Sequence, residues 1–124
     1  MSAAHQRVVV LGASNNPERY SNMALNRLLE NGHKAIPVHP ALERVGGVTV
    51  VPTLSEVERP VDTVTVYVSP QVSSTMTDAL VALAPGRVIF NPGAENPELE
   101  AALAEHGIPT LQACTLVLLS TGQF

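Results

Sequence analysis

Tryptophan is absent, and two tyrosines with two phenylalanines are all the aromatic residues in 124 positions. That leaves no row of rings on which single-stranded bases could stack. Basic residues are also scarce: seven Lys and Arg stand against eleven Asp and Glu, a formal charge of −4, and they form no block. Counterion release on nucleic acid needs a positive face, so a nucleic-acid partner is not expected. Cys114 is the single cysteine, which excludes an internal disulfide. No apolar run approaches the roughly 20 residues of a membrane span. The opening MSAAHQR is too short and too polar for a secretory signal. The expectation is a soluble, cytoplasmic protein without a membrane partner.

What is present reads as one domain over residues 1–124, with 1–6 as a flexible tail. A chain of this length buries about two thirds of the surface its unfolded form exposes. Its 45% hydrophobic and 15% charged residues fall in the ordinary globular range.

Apolar runs alternate with helical patterns. Residues 8–11 (VVVL) have the continuous apolarity of a parallel strand covered on both faces, and Gly12 ends it. A helix is expected over 21–31, with Ser21 as N-cap, Met23, Ala24, Leu25, Leu28 and Leu29 as its apolar face, and Gly32 as a left-handed C-cap. Residues 34–38 (KAIPV) read as a second strand. Residues 48–51 (VTVV) fit a short edge strand and 53–58 a single helical turn.

The β-branched run 61–68 (VDTVTVYV) predicts a third long strand. Ser69 and Pro70 then open a helix whose expected buried stripe is Val72, Met76, Ala79, Leu80 and Leu83. Residues 87–90 (RVIF) predict a strand, Asn96–Pro97 a helix burying Leu99, Ala102 and Leu103 up to Gly107, and 108–112 (IPTLQ) the last strand. Connections too long for hairpins imply an α/β fold, a Rossmann-like three-layer domain with a mostly parallel five-stranded sheet and helices on both faces.

Ligands of such sheets gather at the carboxyl ends of the strands. Here these ends are Gly12-Ala13-Ser14, His39-Pro40, Ser69-Pro70, Asn91-Pro92-Gly93 and Ala113-Cys114. A dinucleotide loop needs a second glycine near the pyrophosphate and an acidic residue after the second strand. Ser14 and His39-Pro40 stand at those places, which counts against NAD. Ser14, Arg19 and Ser21 at a helix start could still hold phosphate; Arg19 fits a solvated surface charge equally well.

The stretch LGASNNPERYSNMALNRLLENGHKAIPVHP, followed by PTL and VDTVTVYVSP, resembles the single-domain CoA-binding family related to the N-terminal domain of the succinyl-CoA synthetase α subunit. The similarity runs from about Arg7 to the end of the chain. The resemblance implies coenzyme A or an acyl-CoA as ligand. By it, Gly12, Ala13 and Ser14 face the phosphates with Arg19 and Ser21 beside them. Val38, His39 and Pro40 line the adenosine side, Tyr67, Val68, Ser69 and Pro70 close the cleft, and Asn91, Pro92 and Gly93 border the pantetheine path. His39 stands where Asn is frequent in the family, Tyr20 follows Arg19, and NPGAEN differs from the usual Gly-Val ending.

The related synthetase uses a phosphorylated histidine from a separate domain with no counterpart in this sequence, so the resemblance carries over no catalytic residue. His5 falls in the expected tail, and His33 and His106 at helix ends read as surface residues. No Cys-x-x-Cys, His-x-x-x-His or carboxylate cluster suggests a metal. Cys114 fits either capture of the CoA thiol as a mixed disulfide or a small buried hydrophobe. The leading expectation is a non-catalytic CoA-binding or sensing protein. The alternative is an NAD(P)-dependent or CoA-transferring enzyme that needs a partner subunit. The apolar segment 116–122 (LVLLSTG) fits a last element or a homodimer surface.

Overall fold

A computed structural model describes residues 5–124. Its main sheet has five parallel strands: β1 (Arg7–Leu11), β2 (Lys34–Val38), β5 (Thr63–Val66), β6 (Arg87–Phe90) and β7 (Thr110–Gln112), in the order β2-β1-β5-β6-β7. β1 is an interior strand, paired on both sides, which is why residues 8–11 tolerate no polar side chain: all four are almost fully buried. The chain leaves β1 toward β2 through α1 (Tyr20–Glu30). It then returns past β1 to build β5, β6 and β7 through α2 (Pro70–Ser73), α3 (Thr77–Leu83) and α4 (Pro97–Glu105). Right-handed crossovers that run in opposite directions put the two sets of helices on opposite faces.

The core is accordingly two clusters divided by the sheet. Val9, Leu11, Val64, Val66, Val88 and Phe90 meet Leu80, Leu83, Leu99 and Leu103 from α3 and α4. Val8, Val10 and Ala35 meet Leu25 and Leu28 of α1 and Leu119 of α5 (Thr115–Ser120). Alternation along β5 sends its two valines to the first cluster and Thr63 and Thr65 to the side of α5.

α1 begins one residue earlier than the sequence implies. Arg19, extended at φ −80° and ψ 140°, occupies the N-cap position, and its carbonyl accepts from the N–H groups of Asn22 and Met23 at 3.1 Å each. Ser21 is therefore inside the first turn and not its cap. At the other end Gly32, at φ +82°, donates to Leu29 O and His33 N–H donates to Leu28 O, both at 3.0 Å, which closes a Schellman motif.

The single helix expected after Ser69 is divided into α2 and α3. Thr75 Oγ1 donates to Val72 O at 2.7 Å, and Asn96 Nδ2 donates to Ser73 Oγ, Ser74 Oγ and Pro70 O at 2.9, 3.0 and 3.3 Å. Side-chain partners for backbone carbonyls compete with helical continuation. Val72, expected in the core, is 43% exposed as a result.

The edge strand expected at 48–51 is shorter: β4 (Val48–Thr49) pairs antiparallel with β3 (Arg44–Val45) across Gly46 and Gly47, at φ +57° and +78°. Val51 instead forms a parallel bridge to Val38. The 3₁₀ turn Leu54–Glu56 matches the helical turn expected there.

The tail expected over 1–6 is overturned at Gln6, while residues 1–4 lie outside the described residues. Gln6 N–H donates to His33 Nδ1 at 3.0 Å, Gln6 O accepts from Lys34 N–H at 2.9 Å, and Gln6 Oε1 accepts from Thr63 Oγ1 at 2.7 Å. His33, expected on the surface as a helix-end residue, is thus a fixed acceptor, and its ring packs 5.3 Å from that of Phe124.

Candidate functional site

A cavity of about 840 Å³ opens at the carboxyl ends of β1, β2 and β5. This is where the strand order reverses, between β1 and β5. Gly12, Ala13, Ser14, Arg19 and Ser21 line it from the first loop, and Val38, His39 and Pro40 from the end of β2. Tyr67 and Val68 line it after β5, and Pro92 and Gly93 after β6.

Gly12 is required by a close approach. It has φ +91°, and a Cβ there would lie 2.8 Å from Val68 Cγ1. The N–H groups of Gly12 and Ala13 both donate to Val38 O at 3.2 Å, so these residues shape the loop while their amides are already spent. Ser14 Oγ accepts from Asn16 N–H at 3.0 Å, and Ser14 O accepts from Asn22 Nδ2 at 2.8 Å. The loop is thus tied to β2 and α1 by its own hydrogen bonds.

Its free polar groups are one turn further on. The first amides of α1 to find acceptors belong to Asn22 and Met23, which leaves the N–H groups of Tyr20 and Ser21 without helical partners. Ser21 lines the cavity, and its hydroxyl makes no hydrogen bond among the described residues. The Arg19 guanidinium beside it has neither a hydrogen bond nor an ion pair among the described residues. No Asp or Glu is among the residues that line the cavity. The result is a positive, donor-rich corner at a helix N-terminus.

His39 is held by its own loop: Nδ1 accepts from the N–H groups of Ala41 and Leu42, at 3.0 and 3.1 Å. Tyr67 carries the opposite condition. Its hydroxyl is buried without a hydrogen-bond partner among the described residues, and burial pushes its pKa up to about 12. The neighbouring Thr65 and Thr115 hydroxyls, which oppose that shift, pair with each other at 2.8 Å.

Ser69, Pro70 and Asn91 do not line the cavity. Ser69 Oγ accepts from Val72 N–H at 3.4 Å and Pro70 is the first residue of α2, so both start a helix. Asn91 is 2% exposed and bonded within the core. Cys114, half-buried at the start of α5, is also outside the lining.

A wall that the sequence did not reveal completes the cavity. Leu54 and Ser55 come from the 3₁₀ turn, Pro52 from the segment before it, and Val72, Met76 and Ala79 from the divided helix. Five hydroxyl residues at 69 and 73–75 and 77 were the available signal for that division.

Residues 6–120 match the family described as CoA binding domain. Among curated proteins, YneT of Bacillus subtilis (strain 168) is 36% identical over 62 residues, which is 50% of this chain and 46% of that protein. The chain thus aligns with about half the length of that relative. The crystal structure of an uncharacterised protein is 43% identical with a TM-score of 0.88, over 98% of this chain and 100% of that one. The cell-free ID.343 protein of Thermus thermophilus is 31% identical with a TM-score of 0.88, over 97% and 91%. A dinucleotide forming acetyl-coenzyme A synthetase 1 of Ca. Korarchaeum cryptofilum, at 23% identity and TM-score 0.74, covers 87% of this chain and shares its fold over 25% of its own length.

Proposed function

The chain belongs to the CoA-binding domain family, and from that premise we propose that its cavity binds coenzyme A or an acyl-CoA in a binding or sensing role without turnover. The observation that carries this reading is the Ser21 hydroxyl at the start of α1, in the cavity lining and without a hydrogen bond among the described residues, beside the unpaired guanidinium of Arg19. Amides at a helix N-terminus, a hydroxyl and a guanidinium together suit a phosphate. The missing carboxylates favour the same anion.

Two features support CoA over NAD. Ser14 replaces the glycine that lets backbone approach a pyrophosphate, and His39 replaces the acid that accepts from a ribose diol. The non-catalytic part of the proposal rests on the fate of the polar groups. The Ser14 hydroxyl bonds to no base among the described residues, and the basic nitrogen of His39 is occupied by two backbone amides.

Thermal unfolding with CoA, NAD and NADP tests the ligand. CoA at about 100 times its Kd should add roughly 2.7 kcal/mol, with little effect from NAD or NADP. Stabilisation by NAD at least equal to that by CoA would reverse the assignment. Native mass spectrometry of the purified protein identifies what travels with it. Acetyl-CoA incubated with the protein should be recovered unchanged; its conversion would refute the non-catalytic role.

A further inference from the structure

The two nitrogens of His39 have separate tasks, and we infer that the second one selects a phosphorylated ribose. The inference rests on the CoA reading of the same cavity.

Nδ1 receives two backbone N–H groups, from Ala41 and Leu42. An acceptor at Nδ1 needs its lone pair there, so the neutral ring carries its proton on Nε2. Nε2–H has no partner among the described residues, and the ring lines the cavity at the end of β2. The loop therefore presents a fixed donor to whatever occupies this side.

The place matters as much as the chemistry. In folds of this kind, the residue after the second strand faces the ribose, and a carboxylate there accepts from a free diol. A donor in a cavity wall without Asp or Glu is complementary to an oxyanion at the same point. Coenzyme A carries a 3′-phosphate on its ribose, whereas 3′-dephospho-CoA has the diol. His39 is thereby a specificity-determining residue for that phosphate.

Isosteric variants separate the two nitrogens. In His39→Asn, the amide oxygen can replace Nδ1 as the loop acceptor while no donor reaches the Nε2 position. In His39→Gln, the amide nitrogen reaches the Nε2 position. Calorimetric titration with CoA and with 3′-dephospho-CoA gives a preference ratio for each protein. The wild type should prefer CoA by about tenfold to a hundredfold, the range of a hydrogen bond to a charged group. His39→Asn should bring the ratio close to one with an unchanged apo melting temperature, and His39→Gln should keep a clear preference. A wild-type ratio retained in His39→Asn overturns the inference while leaving CoA binding intact. A wild type that binds neither coenzyme overturns the reading of the cavity, and this inference with it.

Discussion

Asn91 Nδ2 donates to Thr65 Oγ1 at 2.7 Å across the neighbouring strands β6 and β5. The same amide donates to Val66 O at 3.0 Å, and its oxygen accepts from Thr115 N–H at 2.9 Å. One buried side chain thus ties α5 to the centre of the sheet, directly behind Tyr67. Asn91→Ala removes every one of these bonds and strands a buried amide at Thr115. The expected loss is about 2–3 kcal/mol, read as a lower urea midpoint at constant slope.

Tyr67 should respond in the other direction. Its hydroxyl is buried without a partner among the described residues, a condition that costs about 1–3 kcal/mol. Tyr67→Phe keeps the ring and removes the cost, so apo stability should hold or rise at pH 7. The wild type should also lose stability as pH rises above 10. The unfolded phenol ionises near its ordinary value of 10.0, while the folded one waits until about 12. Chemical denaturation between pH 9 and 11 in both proteins checks this, with a flatter profile expected for Tyr67→Phe.

At the opposite end of the strands His33 sets an acid limit. Burial lowers its pKa from the ordinary 6.5, and the nearby His5 and Arg87 act in the same sense. A lowered pKa means that the unfolded chain takes up the proton first. Stability from this group is therefore complete above 6.5 and is lost as pH falls toward the folded value. Protonation also places a donor opposite Gln6 N–H. Melting temperatures from pH 8 to 5 should fall less steeply in His33→Gln than in the wild type.

Period and punctuation made most of the sheet readable from sequence, because a strand buried on both faces must be continuously apolar, as residues 8–11 and 35–38 are. Gly32 and Asn96 marked helix ends through conformations and caps that are local. What could not be read depends on partners distant in the chain. Asn91 sits at a strand end like a ligand residue, and only the register of β5, β6 and α5 turns it into the core. The division of α2 from α3 depends on Asn96, more than 20 residues away. It is that division which turns Val72 toward the cavity.

Gly12→Ala tests the first turn. The substitution would have to adopt φ +91° and place a methyl 2.8 Å from Val68 Cγ1, so the loop or the start of the β5 exit must shift. Left-handed strain alone costs about 1–3 kcal/mol. A lower melting temperature is expected, with weaker CoA binding as the amides of Gly12 and Ala13 lose their alignment on Val38 O.

Arg19 gives the sharpest separation of binding from folding. Its guanidinium lines the cavity and touches no acceptor among the described residues, so the folded apo protein gains nothing from its charge. A ligand phosphate would be its first partner, through a charge-assisted hydrogen bond. Arg19→Ala should therefore weaken CoA binding by about 1.5–3 kcal/mol and leave apo stability within about 0.5 kcal/mol. Arg19→Lys should recover part of the loss, because it restores the charge but not the planar fork. The loss should also shrink in high salt, where a partly exposed pair is screened. Unchanged affinity in Arg19→Ala by calorimetry would return the guanidinium to solvent and move the phosphate elsewhere along the cavity.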